Sequence, residues 1–263
     1  MVSLIIPVLQ EGSRLEACLD VLSPQARQVG AEILVVDGGS DDGTREVARS
    51  NEGVRLLLSP VGRGTQLNRG GRAAQGSLLV FVAADTLLPS GALRLLDEID
   101  RRGNPRAGGF RQRFDSARPF LRLISWLHNL RASITGVFYG DQTPFVRRDL
   151  FLETGGFRED LPMEDVDFGT RLRRRVRTRQ LALTVETSSR RFDRHGDLRA
   201  VAEAARLLFW WTFFRRIRPS RIFFGPAECR GPGRDLPNGN ATQPPGGASS
   251  PARKPGTRGV DRS

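Results

Sequence analysis

Four short apolar segments, each followed by a helical pattern, constrain the fold more than any other feature of this sequence. The segments are SLIIPV (3–8), AEILVV (31–36), VRLLL (54–58) and LLVFV (78–82). Helical patterns follow the later segments at 43–50, 64–75 and 90–101. Strands that are apolar throughout and alternate with helices are typical of a parallel sheet covered by helices on both faces. The sequence therefore predicts an α/β fold that binds ligands beyond the carboxyl ends of its strands.

The remaining elements follow a less regular pattern. Ser13 and Glu16 have the spacing of a capping box, so we expect the first helix to open at Ser13. Further strands are predicted at 107–114, 143–148 and 181–185, and further helices at 119–134, 164–176 and 197–217. From residue 226 the chain is rich in Pro, Gly, Ser, Asn and Arg and has little to bury. We expect one domain over 1–225 and a disordered tail over 226–263.

Composition limits the classes of partner. The 263 residues are 38% hydrophobic, which allows one domain with a substantial core. The formal net charge is +12, and only one of the 41 basic residues, Lys254, is lysine. This arginine excess reflects either codon usage or an affinity for phosphates or an anionic membrane. No helix-turn-helix, zinc-finger or RNA-binding signature occurs, so we expect no nucleic-acid partner.

The cysteines and the apolar runs bear on localisation. Two cysteines cannot form a disulfide framework or a cysteine-rich metal site, so a reducing compartment is expected. The first residues have the pattern of a strand and not of a signal peptide. No apolar run approaches the roughly 18 residues that span a bilayer. We therefore expect a cytoplasmic protein.

Acidic residues follow three of the predicted strands. Glu11 follows the first, Asp37 ends the second with Asp41 and Asp42 in its loop, and Asp85 follows the fourth. One acid after a strand is usually a helix cap or a turn former. Three at the ligand-binding edge can instead bind a divalent cation that bridges phosphates, or accept hydrogen bonds from ribose and base. The pattern indicates a nucleoside diphosphate site.

Seven segments, in this order, resemble family 2 glycosyltransferases. They are SLIIPVLQE, EILVVDGGSDDGT, GRGTQLNRG, VFVAADTLLPSGAL, YGDQTPFVRRDLF, GGF and MEDVDFGTRLR. The resemblance covers roughly residues 1–225 and is strongest to a small bacterial branch, the arsenosugar-type or radical-SAM-associated glycosyltransferases. It implies a GT-A fold, a nucleotide-sugar donor, Mn²⁺ or Mg²⁺, and inverting transfer of a hexose-type sugar to an acceptor hydroxyl.

The resemblance also implies roles for residues of the nucleotide side. The residues it assigns to the nucleotide pocket are Pro7, Glu11, Asp37, Arg63 and Asp85. Asp37 is placed at the nucleobase, and Asp85 corresponds to the metal-facing aspartate of the D-x-D motif. The first acid of that motif is Ala83 here. The loop would then give the cation one direct carboxylate, and diphosphate oxygens and water would complete its ligands.

A second acidic cluster opens the predicted helix 164–176. Acids are favoured at a helix N-terminus by about 0.3–1 kcal/mol each, which alone would explain Glu164, Asp165 and Asp167. The resemblance identifies this cluster as the family's E-D motif, with Asp165 as the catalytic base and Glu164 beside it. A fixed carboxylate can take the proton of an acceptor hydroxyl in the transition state.

Residues 139–142 and the stretch around His195 are the remaining site candidates. YGDQ (139–142) resembles the family's glycine loop, which implies acceptor contacts by Gly140, Asp141 and Gln142, although Asp141 equally suits a turn. His195 is either a metal ligand, as in many GT-A enzymes, or a structural histidine. The nearby arginines either neutralise diphosphate or form a solvated basic face; they are Arg190, Arg191 and Arg194. His128 lies in an apolar helical pattern and is expected to pack in the core.

Three alternatives stay open at this point. GRGTQLNRG resembles the loop of sugar nucleotidyltransferases, although it follows the third strand and has Gln66 where those enzymes have arginine. Ala83 is also compatible with a module that binds nucleotide sugars without catalysis. LLFWWTFFRRI (207–217) suits either an interfacial helix at the inner face of a membrane or a helix packed on the core. Membrane contact would make a lipid-linked acceptor the expected one.

Overall fold

The computed structural model describes residues 1–161, 163–195 and 202. Apart from Ala202, the helix expected over 197–217 and the tail expected over 226–263 lie outside the described residues. Among the helices that are described, none combines the length and the apolar character needed to cross a bilayer.

Strands and helices alternate through the first hundred residues, as the apolar pattern predicts. The strands are β1 (Val2–Val8), β2 (Glu32–Asp37), β3 (Val54–Leu58), β4 (Leu78–Phe81), β5 (Thr86–Leu87), β6 (Ala107–Phe114), β7 (Phe145–Arg147) and β8 (Arg179–Thr187). The helices are α1 (Gly12–Val29), α2 (Thr44–Ser50), α3 (Arg63–Ala73), α4 (Ala92–Arg102), α5 (Pro119–Thr135), α6 (Arg148–Thr154), α7 (Glu164–Arg175) and α8 (Arg190–His195). Gly140–Gln142 form a short 3-10 helix, η1.

Within the described residues, the eight strands join one sheet in the order β3-β2-β1-β4-β7-β6-β8-β5. The first four pair in parallel, and β6 pairs in parallel with β8. The short strand β7 runs antiparallel to both β4 and β6, and β5 runs antiparallel to β8. The mostly parallel α/β sheet predicted from the sequence is confirmed, with β7 joining its two parallel halves.

The two faces of the sheet bury separate apolar cores. Along β1, Leu4, Ile6 and Val8 pack toward α1 and α4, whereas Ile5 packs on the opposite face with Phe81 and Phe151. Because successive strand residues point to opposite faces, a strand covered on both faces must be apolar at every position. This explains why β1, β2 and β4 lack the alternation of half-exposed strands.

The first helix does not start where the capping-box pattern predicted. It begins at Gly12, and Ser13 provides no side-chain cap. The loop after β2 caps this end instead, since the Gly12 amide donates to the Asp42 carboxylate at 3.2 Å. The capping-box expectation was wrong because a residue distant in sequence supplies the acceptor.

Helix α5 covers an open edge of β6. β7 pairs only with Ala107 and Gly108, so the later residues of β6 have no strand on that side. Asn129 of α5 takes the place of a strand there: its amide accepts from the Gln112 N–H at 2.9 Å and donates to the Gln112 carbonyl at 2.8 Å. Ser125 accepts from the Phe114 N–H at 3.3 Å. These bonds fix α5 beside the site that the strand ends form.

Candidate functional site

A pocket lies at the carboxyl ends of β1 and β4 and brings together five positions from distant parts of the chain. Its lining includes Pro7, Arg63, Ala83, Gly140 and Asp165. Four of these were predicted as site residues, and Ala83 was singled out because it replaces an acid. The ligand-binding edge predicted from the strand pattern is therefore where these residues meet.

Asp37 ends β2, and its side chain is fully buried. Its carboxylate accepts hydrogen bonds from the Gly39 and Ser40 N–H groups and a 2.6 Å bond from Nε of Arg45. Burial opposes the negative charge, but the bonds from Ser40, Arg45 and Gly39 outweigh it and lower the pKa of Asp37. Asp37 therefore stays ionised and fixes the loop above β2. Its predicted nucleobase contact stays a prediction.

The other two acids of this loop hold the loop itself. Asp41 accepts from the Gln10 side chain at 2.5 Å. Asp42 accepts from the N–H groups of Gly12 and Thr44. Asp42 therefore acts as a turn and cap residue, as acids after strands usually do, whereas Asp41 ties the loop to Gln10.

Glu11 and Asp85 share one arginine. Arg190 donates to both Glu11 oxygens, at 2.7 and 3.1 Å, and its nearest nitrogen lies 3.4 Å from Asp85 Oδ2. Arg14 also contacts the Glu11 carboxylate. Burial disfavours the Arg190 cation, but the bonds from Glu11 and the charge of Asp85 outweigh it and raise the Arg190 pKa. Two predicted acids and one predicted arginine thus form an ion-pair network that connects the ends of β1 and β4.

The donor set for a divalent cation is small. Among the described residues, no three His, Cys, Asp or Glu side chains come together as a metal site. Asp85 supplies one carboxylate, and Ala83 supplies none. The His195 side chain lies outside the described part of the structure, so its predicted role stays a prediction. A cation fits here only if diphosphate oxygens and water provide most of its ligands, which Mg²⁺ tolerates.

Asp165 lies in the first turn of α7 and is fixed by two backbone groups. Its Oδ2 accepts from the Gly140 N–H at 2.8 Å, and its Oδ1 accepts from the Val166 N–H at 2.8 Å. Each carboxylate oxygen can accept a further hydrogen bond. The side chain is therefore held in one position at the pocket wall and can still receive a proton from a bound hydroxyl.

Arg63 lines the pocket and lies against Gly140. A Cβ on Gly140 would lie 1.9 Å from a terminal guanidinium nitrogen of Arg63. Nε of Arg63 lies 3.4 Å from the buried Glu164 carboxylate. Glu164 thus holds Arg63 over Gly140, next to the carboxylate of Asp165. Asp165 thus lies in the pocket wall, whereas Glu164 pairs with Arg63.

The glycine-rich segment that resembled a nucleotidyltransferase loop is part of helix α3. Gln66 is buried and donates to the carbonyls of Val8 and Val36, at 2.8 and 2.7 Å. A Cβ on Gly64 would lie 2.9 Å from the Arg158 carbonyl oxygen. The segment therefore connects the ends of β1 and β2 to the loop before α7. The resemblance to a nucleotidyltransferase loop did not reveal this packing role.

The loop expected to contact the acceptor is held from α5. Arg131 stacks its guanidinium on the Tyr139 ring, 3.6 Å from the centroid, and donates to Oε1 of Gln142 at 2.9 Å. Gln142 is fully buried, so its side chain holds the loop, and an acceptor contact by it stays a prediction. Thr143 follows with φ of 45°, an uncommon conformation for a β-branched residue.

His128 faces this loop and does not merely pack in the core, as the sequence suggested. Its Nδ1 lies 3.4 Å from Asp141 Oδ2, and its ring centroid lies 5.2 Å from that of Tyr139. Burial lowers the His128 pKa, and the charge of Asp141 offsets this only in part. A neutral imidazole therefore sits beside Asp141 at physiological pH. The apolar helical pattern hid this contact because it forms only when the loop that follows α5 folds back onto His128.

Comparisons with known proteins agree with this geometry. The family model described as "Glycosyl transferase family 2" matches residues 3–159. An uncharacterized protein of Mycobacterium tuberculosis, MT1568, is 31% identical over 201 residues, which are 65% of this chain and 61% of that protein. Glycosyltransferase AglE of Haloferax volcanii is 34% identical over 91 residues, which are 32% of this chain and 30% of AglE. The chain thus covers less than two thirds of either relative.

Two solved structures share the fold. TarS of Staphylococcus aureus, in complex with UDP-GlcNAc, aligns with a TM-score of 0.58 and 20% identity over 72% of this chain and 58% of that one. The mannosyltransferase PcManGT of Pyrobaculum calidifontis, in complex with GDP-Man and Mn²⁺, aligns with a TM-score of 0.57 and 24% identity over 78% of this chain and 64% of that one. The predicted GT-A fold is confirmed by these alignments.

Proposed function

The chain belongs to glycosyl transferase family 2, and we propose that it transfers a hexose-type sugar from a nucleoside diphosphate sugar to an acceptor hydroxyl, with inversion at the anomeric carbon. The observation that carries the proposal is the fixed carboxylate of Asp165 in the pocket at the strand ends. Donors solved with proteins of the same fold, UDP-GlcNAc and GDP-Man, support the donor class.

The transfer is a single displacement in which Asp165 acts as the base. The acceptor oxygen forms a bond to the anomeric carbon while the bond from that carbon to the diphosphate oxygen breaks. The acceptor proton passes to a carboxylate oxygen of Asp165, and the nucleoside diphosphate leaves with the electron pair. A positioned base of this kind typically contributes 10²- to 10⁴-fold in rate. The backbone bonds from Gly140 and Val166 keep the carboxylate in place during the step.

Arg190 stabilises the negative charge that develops on the leaving diphosphate, and Asp85 lies beside it. Arg190 is cationic and half-buried at the end of β1, where a phosphate oxygen can replace Glu11 or Asp85 as its partner. Mn²⁺ or Mg²⁺, held by Asp85 together with the diphosphate, would supply a further positive charge to the leaving group. Arg190 and the divalent cation would therefore both stabilise the diphosphate oxygens, which would offset the acid that is missing at Ala83.

The loop around Asp37 supports the nucleoside. Pro7 lines the pocket from β1, and Asp37 keeps the neighbouring loop rigid through Ser40 and Arg45. Glu11 lies on the same edge, within reach of the ribose hydroxyls of a nucleotide whose phosphates meet Arg190. Arg63 lines the pocket between this side and Asp165.

Ligand-dependent thermal stability is the experiment that tests the donor class. The full chain is heated with a panel of nucleoside diphosphates and their sugars, each with and without Mn²⁺. A ligand that binds only the folded protein raises the unfolding temperature. One nucleotide should give a shift that Mn²⁺ increases and that Asp85→Ala reduces. Absence of any shift with folded protein would overturn the proposal.

Release of nucleoside diphosphate from the preferred donor separates the enzyme from a module that only binds nucleotide sugars. Ala83 and the ion pair between Asp85 and Arg190 are the observations that favour such a module. Binding with no release, in the presence of a range of hydroxyl acceptors, would select the binding module. Release that Asp165→Asn abolishes would select the transferase.

A further inference from the structure

Helix α5 exposes a continuous apolar stripe. Five large side chains, which we call the α5 stripe, recur at helical spacing on its outer face; they are Leu123, Trp126, Leu127, Leu130 and Ile134. They make up five of the nine large hydrophobic residues that are exposed within the described residues. Single exposed apolar residues are ordinary, but a contiguous patch marks a surface that binds something.

The opposite face of α5 packs against the protein. Leu121, Ser125 and Ala132 are buried, and Asn129 holds the edge of β6 through two hydrogen bonds. Rotating the helix to bury the α5 stripe would break these contacts. The stripe is therefore not a misplaced core face, and it needs a partner outside the described fold.

Charge identifies the kind of partner. No acidic residue occurs between Ser116 and Gly140. Arg122 is exposed in the first turns of α5, and the exposed Arg173 of α7 lies against Gly136, the residue that follows the helix. An apolar stripe with tryptophan, flanked by arginines and free of acids, fits the boundary between anionic headgroups and acyl chains.

We propose that the α5 stripe binds an anionic lipid membrane, with the helix lying in the plane of the interface. The apolar side chains enter the acyl boundary, and Trp126 lies at headgroup level, where its ring is favoured. Arg122 and Arg173 contact the lipid phosphates. With 17 residues, α5 presents about 25 Å of helix to the surface.

This surface is joined to the pocket by one side chain and one loop. Arg131 on the flank of α5 holds Gln142, and Gly140 of the same loop holds Asp165. The membrane contact itself is independent of sugar transfer. A consequence for catalysis follows only if the proposed function is correct. In that case the acceptor hydroxyl is carried by a lipid and reaches Asp165 along α5.

Vesicle flotation of the full chain tests the membrane contact. The vesicles contain either phosphatidylcholine alone or equal parts of phosphatidylcholine and phosphatidylglycerol. We expect binding to the anionic vesicles that weakens with added salt, because screening reduces the arginine contribution. Leu127→Gln/Ile134→Gln should lower the affinity about tenfold or more, since two side chains lose their burial in lipid. Arg122→Gln should lower it about fivefold.

A matched pair of substitutions controls for the loss of exposed apolar surface as such. Leu58→Gln/Leu152→Gln removes two side chains that are 51% and 46% exposed, against 47% and 72% for Leu127 and Ile134. The control pair should bind vesicles as the unchanged chain does, and both variants should keep its unfolding temperature.

Three results would overturn the proposal. The unchanged chain could fail to bind either vesicle. The α5 variant could bind as tightly as the unchanged chain, which would place the anchor elsewhere, for example in residues 207–217. The unchanged chain could form a dimer that the α5 variant loses, which would make a second copy the partner. Flotation needs neither donor nor turnover, so none of these results bears on sugar transfer.

Discussion

The two sides of the pocket, which we propose bind the nucleotide and the acceptor, satisfy their buried polar groups in different ways. On the proposed nucleotide side, Asp37 accepts from two backbone N–H groups and Arg45, and Glu11 and Asp85 share Arg190. On the proposed acceptor side, several buried polar atoms lack a hydrogen-bond partner among the described residues; they are Nε of Arg131, Oδ1 of Asp141, Nε2 of Gln142 and Oγ1 of Thr143.

This difference indicates which side changes when ligands bind. A buried polar atom without a partner costs about 1–3 kcal/mol, and pairing with a ligand group or water recovers part of that cost. The strained backbone at Thr143 lies in the same loop. We infer that the nucleotide side is preorganised, whereas the acceptor side is completed by what binds there. Four substitutions test this contrast.

Asp165→Asn should separate the two sides most sharply. We expect the release of nucleoside diphosphate to fall by about 10²- to 10⁴-fold, because the amide cannot take the acceptor proton. The affinity for the donor should change little, since we propose that Asp165 acts on the acceptor and does not bind the nucleotide. Steady-state rates and ligand-induced thermal shifts measure the two quantities. Asp160→Asn, an exposed acid near the same helix, is the control. An equal loss of donor binding in Asp165→Asn would contradict the division.

Arg190→Gln tests the preorganised side. Loss of a charged partner is worth about 1.5–3 kcal/mol, so the dissociation constant for the nucleoside diphosphate should rise roughly 10- to 100-fold. Titration calorimetry measures the constant. Arg14→Gln provides the matched control, because Arg14 also contacts Glu11 but has no ion pair with Asp85. If Arg14→Gln weakened binding as much as Arg190→Gln, the effect would come from Glu11 and not from the diphosphate.

Gly140→Ala should disturb the contact between Gly140 and Arg63 and the hydrogen bond from Gly140 to Asp165. The added Cβ would displace Arg63 and shift the N–H that holds Asp165, so we expect turnover to fall about tenfold. In an Arg63→Ala background the same substitution should cost less, because the clashing group is gone. Turnover of the four proteins of this cycle gives the coupling directly. Additive losses would show that Arg63 does not transmit the effect.

His128→Gln should change only the pH dependence of stability, and by the smallest amount. Burial lowers the His128 pKa below its ordinary value of 6.5, so the unfolded chain takes up a proton more readily. The free energy of unfolding should therefore fall as the pH drops below about 6.5, down to the pKa of the folded state, and less steeply in His128→Gln. Urea unfolding between about pH 8 and 5 measures both slopes. Parallel slopes would show that His128 is not buried as a neutral group.

The sequence predicted the parallel half of the fold well and the antiparallel part poorly. Strands β1 and β4 are buried on both faces and therefore carry an unbroken apolar pattern. Strand β7 lies within the strand predicted at 143–148, but its antiparallel direction depends on its neighbours β4 and β6, which the sequence pattern does not reveal. Helix α6 was not predicted.

The acidic residues of the candidate site were predictable from the sequence, but the residues with which they pair were not. Glu11 and Asp85 were singled out from their positions after strands, and Asp165 from the resemblance to the E-D motif of the family. That Glu11 pairs with Arg190, 179 residues later, depends on the closed fold. The close approach of Arg63 to Gly140 likewise depends on the closed fold. Residue spacing encodes which chemistry is present, whereas the partners of each charge depend on tertiary packing.

The two hydrogen bonds from Asn129 to Gln112 have a consequence for solubility. An open strand edge offers its backbone to any other extended chain, and natural sheets guard such edges to avoid aggregation. On the side of β6 that faces away from β8, no strand of the described residues pairs at Gln112, and one amide side chain of α5 occupies the N–H and the carbonyl that another chain would use. The helix that turns an apolar stripe outward thus also covers this strand edge. Detaching it would open the edge to pairing with another extended chain.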